Sequence, residues 1–231
     1  MLKKYWQTWW TVMARPIYFY VKLEEQDWRK NSLSFLLMTS YLTAAIVALA
    51  VFIIQYIPMG RTLIEGVTGF KLIIVLPVVL TLAAVFFMIT YLILIGVTVL
   101  ALGSAFYVTG ALLFYVYKIC GGQGDLNRMV QNMFYSSAVV LAVVFPALLA
   151  VLTRYNWLDL SLFRVGFDFS YFLIGIYVYG LWAVIGRRTC GVSKWVAFAG
   201  ALVPLFIFLI FGLAFDKMAI AKVETWIAPL K

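Results

Sequence analysis

From Leu72 to Tyr117 the chain runs for 46 residues without one charged side chain. A run of that length and apolarity cannot stand in water, so it dictates a lipid solvent. As a single helix it would extend about 69 Å, roughly twice the hydrocarbon thickness of a bilayer. Two arrangements answer this. One is a tight hairpin of two spans turning near Gly96. The other is a single long tilted span over about Phe87 to Lys118, preceded by a membrane-embedded segment broken at Pro77. The turn Leu94-Ile95-Gly96-Val97-Thr98 lacks the Asn, Asp or Pro that an aqueous turn uses. The second arrangement is therefore favoured, with Pro77 as the break.

The rest of the chain agrees with a membrane-embedded class. Of 231 residues, 65% are hydrophobic and 12% charged, and the mean hydropathy is +1.03. Soluble domains carry about 25% charged residues. Further spans are expected over Leu33–Tyr56, about Met133 to Leu152, Phe169 to Ile185 and Trp195 to Leu213, with Pro58-Met59-Gly60-Arg61 starting a loop. The fold class is all-α, a polytopic helical bundle with five spans, or six if the long run is a hairpin. Residues 1–31 form an interfacial amphipathic segment, 32–215 the bundle, and 216–231 a short interfacial tail.

In the first segment Trp6, Trp9 and Trp10 cluster beside a basic edge of Lys4 and Arg15. Trp and Tyr favour the headgroup level. Residues 2–14 therefore read as a helix lying in the membrane plane and ended by Pro16. A helix packed on the bundle is the rival arrangement. Met1-Leu2-Lys3-Lys4 does not open a cleavable signal, so the first span is expected to serve as its own insertion signal.

The net charge of +9 arises from 18 Lys/Arg against 9 Asp/Glu. No basic stretch is long enough to track a phosphate backbone, so nucleic acid is not an expected partner. These residues belong with anionic headgroups and set orientation. With the N-terminus inside, the inner side collects six before the first span, then Lys118, Arg128, Arg187, Arg188 and Lys194. The outer side collects Arg61, Lys71, Arg154, Arg164, Lys217, Lys222 and Lys231. Eleven against seven puts the N-terminus in the cytoplasm, and the score is the same for five spans or six.

No chemistry-bearing constellation stands out. There is no histidine, and the two cysteines, Cys120 and Cys190, fall at the ends of apolar segments. Neither a nucleophile with its base, a carboxylate pair nor a metal-ligand spacing is present. The expected span cores hold no charge, which argues against proton coupling through them. Catalytic, cofactor-binding and metal residues are therefore expected to be none. Gly96, Gly103 and Gly110 recur every seven residues and read as a helix-packing face. Gly121, Gly122 and Gly124 make the most glycine-dense loop. That loop lacks the Lys-Ser/Thr of a phosphate-binding loop and reads as a helix stop or a docking loop. Pro146 and Pro204 interrupt apolar segments. A polar cavity lined by Gln55, Ser104 and Thr109 would point to transport.

Several features in order resemble the Yip family of integral membrane proteins, named for interaction with Ypt/Rab GTPases, and its bacterial branch most. They are Trp9-Trp10 leading through Arg15-Pro16 to Tyr18-Phe19, a charged segment before the first span, and a long second span ending in Gly121-Gly122-Gln123-Gly124. Tyr135-Ser136-Ser137 running to Phe145-Pro146 follows in the third span, and Gly191-Val192-Ser193-Lys194-Trp195 leads into the fifth. The resemblance implies five spans, a cytoplasmic N-terminus and a multi-pass place in the plasma (bacterial inner) membrane. It carries no catalytic residues. Eukaryotic members are implicated in vesicle traffic and membrane shaping. This chain lacks their long N-terminal domain, so GTPase binding is not expected. The expected function is non-enzymatic organisation or scaffolding of the bilayer or a membrane complex, with lipid or small-molecule transport as the alternative. Partners are membrane lipids and a protein or a second copy within the membrane.

Overall fold

The computed structural model describes residues 2–229, and these form helices and, among them, no strand. Two short helices, α1 (Leu2–Ala14) and α2 (Pro16–Lys22), precede five long ones. The long helices are α3 (Asn31–Ile64), α4 (Phe70–Ile119), α5 (Leu126–Arg154), α6 (Leu160–Cys190) and α7 (Lys194–Ile227). Each of these five is long and apolar enough to cross a membrane. The chain is an all-α, multi-pass membrane protein, and the five-span arrangement is the one it adopts.

The helices outrun the expected boundaries, and the reason is shared. In a medium without water every unpaired backbone group costs several kcal/mol, so the chain keeps its helix wherever it can. The hairpin at Gly96 is absent, and Pro77 is not a break. Phe70–Ile119 is one helix of 50 residues with Pro77 inside it, about 75 Å long at ~1.5 Å per residue. The Thr81 hydroxyl donates to the Pro77 carbonyl at 2.8 Å. Pro58-Met59-Gly60-Arg61 is not a loop either. The first span widens into a π turn at Phe52–Tyr56, and the α-helix resumes at Ile57–Ile64 with Pro58 in its first turn. The missing proline N–H leaves a carbonyl one turn back without its helical donor, and the Ile53 and Ile54 carbonyls accept instead from the Tyr155 hydroxyl at 3.1 Å and the Arg154 Nε at 3.2 Å.

The third span begins earlier than expected, at Leu126, capped by Asp125, whose carboxylate accepts from the Arg128 N–H at 3.1 Å. It tightens to a 3₁₀ stretch over Ser137–Val143 just before Pro146. Three-residue bonding there avoids the clash of the proline ring with the carbonyl four residues back. The fourth span starts at Leu160 rather than Phe169, which brings Arg164 and Asp168 into a continuous helix.

The tail is tied to the bundle rather than lying free. α7 passes through a π turn at Asp216–Ile220 and continues to Ile227. Ile220 and Ile227 bury against Ile54 and Phe163 in a small second core. Arg164 pairs with Asp216 at 3.8 Å and Glu224 at 3.6 Å. Arg154 donates to the carbonyls of Ile54 and Ala228. Lys231 lies outside the described residues.

The larger core gathers α1, α2, α3, the second half of α4, α5, α6 and the start of α7. The first half of α4 stays outside it. Phe70, Ile73, Leu80 and Ile93 are all exposed. Where α4 crosses α3, the Tyr56 hydroxyl meets that of Thr90 at 2.8 Å, and Phe52 packs edge-on against Phe87.

Candidate functional site

At one end of the bundle the segment 23–30, the glycine loop and the α6–α7 turn converge. Two side chains of α5 draw the first of these in. The Gln131 amide donates to the Glu24 carbonyl at 2.9 Å and its oxygen accepts from the Gln26 N–H at 3.2 Å. Asn127 donates to the Gln26 carbonyl at 3.2 Å and accepts from the Trp28 N–H at 3.5 Å. Neighbouring Asn132 donates to the Thr189 hydroxyl at 2.8 Å, joining α5 to α6. Gln131 and Asn132 are buried, so these bonds satisfy groups that would otherwise be stranded. The Arg128–Glu25 pair at 3.9 Å is open to solvent and adds little.

The glycine loop docks onto the end of α6. Gly121 takes φ +85°, a left-handed turn that glycine adopts freely. The Gln123 N–H then donates to the Cys190 carbonyl at 3.0 Å. A Cβ on Gly124 would lie 2.7 Å from the Cys190 sulfur and 2.7 Å from the Thr189 carbonyl oxygen. Gly122 is almost as tight, with Tyr117 O at 2.9 Å. These two glycines therefore serve close approach.

Gly96, Gly103 and Gly110 do not form one contact face. A Cβ on Gly110 would meet Met133 Cγ at 3.2 Å, on Gly103 only Leu36 Cδ2 at 4.0 Å, and on Gly96 nothing within 4 Å. α5 packs on α4 only near their shared end, so Gly110 alone faces it. A seven-residue repeat also drifts ~20° per heptad around a straight helix. The tight contact lies elsewhere. Tyr117 is fully buried, wedged between Gly186 of α6 and Gly200 of α7, and donates to the Ala197 carbonyl at 2.7 Å.

α1 crosses three helices in turn. The Tyr5 and Thr39 hydroxyls meet at 2.9 Å on α3, with the Tyr5 ring stacked on Phe35 at 4.8 Å. The Trp9 indole N–H donates to the Ala138 carbonyl of α5 at 2.9 Å. The Tyr177 hydroxyl of α6 donates to the Met13 carbonyl at 2.9 Å. So the helix packs on the bundle, and Trp9 is a packing residue. Trp6 and Trp10 point the other way, 46% and 65% exposed. Burial raises the pKa of Tyr5, partly offset by its bond to Thr39, and pushes that of Tyr20 well up. Tyr18 moves down through the hydrogen bond and charge of Lys22.

Among the described residues no group of three His, Cys, Asp or Glu side chains converges as a metal site would. Cys120 is exposed and Cys190 buried, both free thiols. The arrangement offers amides, hydroxyls and aromatic faces, which is chemistry for binding and for holding helices. Ser104 is exposed and turns back to its own helix, donating to Leu100 O at 2.7 Å. Sequence reasoning passed over Asn127, Gln131 and Asn132. Their signal was there, as three amides at the head of an apolar span. No family model, no curated protein and no solved structure matches the chain.

Proposed function

We propose that the protein is a non-enzymatic organiser of the bilayer or scaffold of a membrane complex, of the Yip type. In this reading it sits in the plasma (bacterial inner) membrane, with its N-terminus in the cytoplasm and lipids and a protein partner or second copy around it. The observation that carries the reading is the pinned helix α1. One face is fixed by Tyr5, Trp9 and the Tyr177 bond, while Trp6 and Trp10 face outward from a basic edge. A rigidly held amphipathic helix displaces headgroups in one leaflet only and so biases its shape. Reconstitution into vesicles of uniform size tests this. The wild-type protein is expected to shrink or tubulate them, and a Trp6→Ser, Trp10→Ser variant to leave them unchanged. Equal vesicle shapes with wild type and variant reject the reading.

One feature favours lipid transport as a second reading. An aromatic cleft of about 1040 Å³ opens between α6 and α7, lined by Phe167, Tyr171, Phe208 and Phe215 with Asp168 on its wall. A fluorescent-lipid flip assay in the same vesicles tests it, and no flipping above empty vesicles rejects it.

A further inference from the structure

A second cavity, of about 240 Å³, lies between α1 and the start of α3. Its wall carries Lys4 and Thr8 from α1 and Asn31 and Ser34 from α3, over a floor of Tyr5, Phe35 and Tyr135. None of the lining residues is acidic. Lys4 forms no ion pair, and the hydroxyls of Thr8 and Ser34 make no hydrogen bond, among the described residues. Asn31 spends its amide N–H on Gln26 at 2.7 Å and keeps its oxygen open.

Tyr135 gives the cavity its purpose. The residue is 7% exposed, held by an edge contact to Phe19 at 5.1 Å and a tilted contact to Phe35 at 5.3 Å, and its hydroxyl has no hydrogen-bond partner among the described residues. The buried side-chain polar atoms without a partner among the described residues are Thr43 Oγ1 and Trp182 Nε1, so the Tyr135 hydroxyl is not sealed in the core but is reachable from the cavity that the residue lines. The other tyrosines that bind α1 and α2 to the bundle, Tyr5, Tyr20 and Tyr177, all have a hydrogen-bond partner. A cation, three hydroxyls and an apolar floor together match an anionic phosphodiester joined to an acyl chain. The phosphate oxygens would accept from Lys4, Thr8, Ser34 and Tyr135. The chain would run along Met38, which lines the same cavity.

We infer that the cavity between α1 and α3 is a binding site for the headgroup of an anionic phospholipid. The inference deepens the bilayer-organiser reading and rests on it only in that α1 meets lipid. The two fail separately, since vesicle shape tests one and headgroup selectivity the other. With no carboxylate in the lining, a zwitterionic headgroup finds no partner for its ammonium, so selectivity follows from the charge balance.

The purified full chain in mild detergent, titrated with phosphatidylglycerol or phosphatidylcholine and read by native mass spectrometry, tests the site. Phosphatidylglycerol is expected to bind at least about tenfold more tightly, because both lipids offer the phosphate but phosphatidylcholine also brings an ammonium that finds no carboxylate and shares the cavity with Lys4, a like-charge contact. Tyr135→Phe and Lys4→Gln should each weaken it by about tenfold, while the ring packing and melting temperature of Tyr135→Phe stay as in the wild type. Millimolar inorganic phosphate should not displace the lipid. Equal binding of the two lipids overturns the inference, as does wild-type affinity in both variants. Displacement by inorganic phosphate also overturns it, by making this a site for a soluble anion.

Discussion

Adding one methyl group at Gly186 should strike the most crowded point in the bundle. Its Cβ would overlap the Tyr117 ring, and the ring cannot retreat, because a Cβ position on Gly200 stands equally close on its other side. Tyr117 is 0% exposed, so no solvent-facing rotamer offers an escape. Overpacking of this kind costs about 1–3 kcal/mol. If the ring shifts enough to break its bond to Ala197, a buried hydroxyl goes unpaired for about 1–3 kcal/mol more. Against this, alanine is a better helix former than glycine by up to about 1 kcal/mol. The net loss for Gly186→Ala is therefore about 0–2 kcal/mol if that bond holds and about 1–5 kcal/mol if it breaks. Gly180, on the same helix, has nothing within 4 Å of its Cβ position, and Gly180→Ala should be neutral or slightly stabilising. Unfolding in mixed micelles of rising denaturing-detergent fraction measures both. A Tyr117→Leu background should remove much of the Gly186→Ala penalty, giving a coupling above about 0.5 kcal/mol in a double-mutant cycle. Equal losses at Gly186 and Gly180, or additivity with Tyr117→Leu, would refute the wedge.

Gly124→Ala should cost about 1–3 kcal/mol in the same unfolding assay, because its Cβ would press on the Cys190 sulfur and the Thr189 carbonyl. Asn132→Ala should cost about 1–3 kcal/mol by stranding the Thr189 hydroxyl in the core. Gln131→Ala releases two bonds to the segment 23–30, and trypsin should cut at Arg29 and Lys30 faster than in the wild type while the melting temperature changes less than for Asn132→Ala. Reporter insertions in the loop 65–69 and in the loop 120–125 should report opposite sides of the membrane, since α4 joins them as a single helix; the same side for both would restore the hairpin at Gly96.

The existence of the five long helices was legible because uncharged apolar runs of span length have few other uses. Their ends were harder. Pro58 and Pro77 read as breaks by rules learned in water, where a freed carbonyl can bond to solvent; in lipid the helix continues through both. The glycine repeat at 96, 103 and 110 shows which residues share a face, but nothing in the repeat says what stands opposite, and only Gly110 has a close neighbour. Tyr117, Gly186 and Gly200 sit on three different helices, so no local pattern could join them. The tryptophans were half legible. Their spacing pointed to an amphipathic helix, but Trp9 differs from Trp6 and Trp10 only through Ala138, a partner far along the chain.

The length of α4 makes bilayer thickness a thermodynamic variable for this protein. At about 75 Å it exceeds a hydrocarbon core of ~30 Å more than twofold. Its exposed half carries Phe70, Ile73, Leu80 and Ile93 to the surrounding medium rather than to the core. Each ångström of apolar helix left uncovered carries a modest energetic cost, a fraction of a kcal/mol, and tilt, bending and local thickening are the ways to relieve it. A thicker membrane covers more of α4 at smaller tilt, and a thinner one forces the helix toward the plane and pulls on the Tyr56–Thr90 crossing with α3. The protein's energy therefore varies with the thickness of the membrane around it.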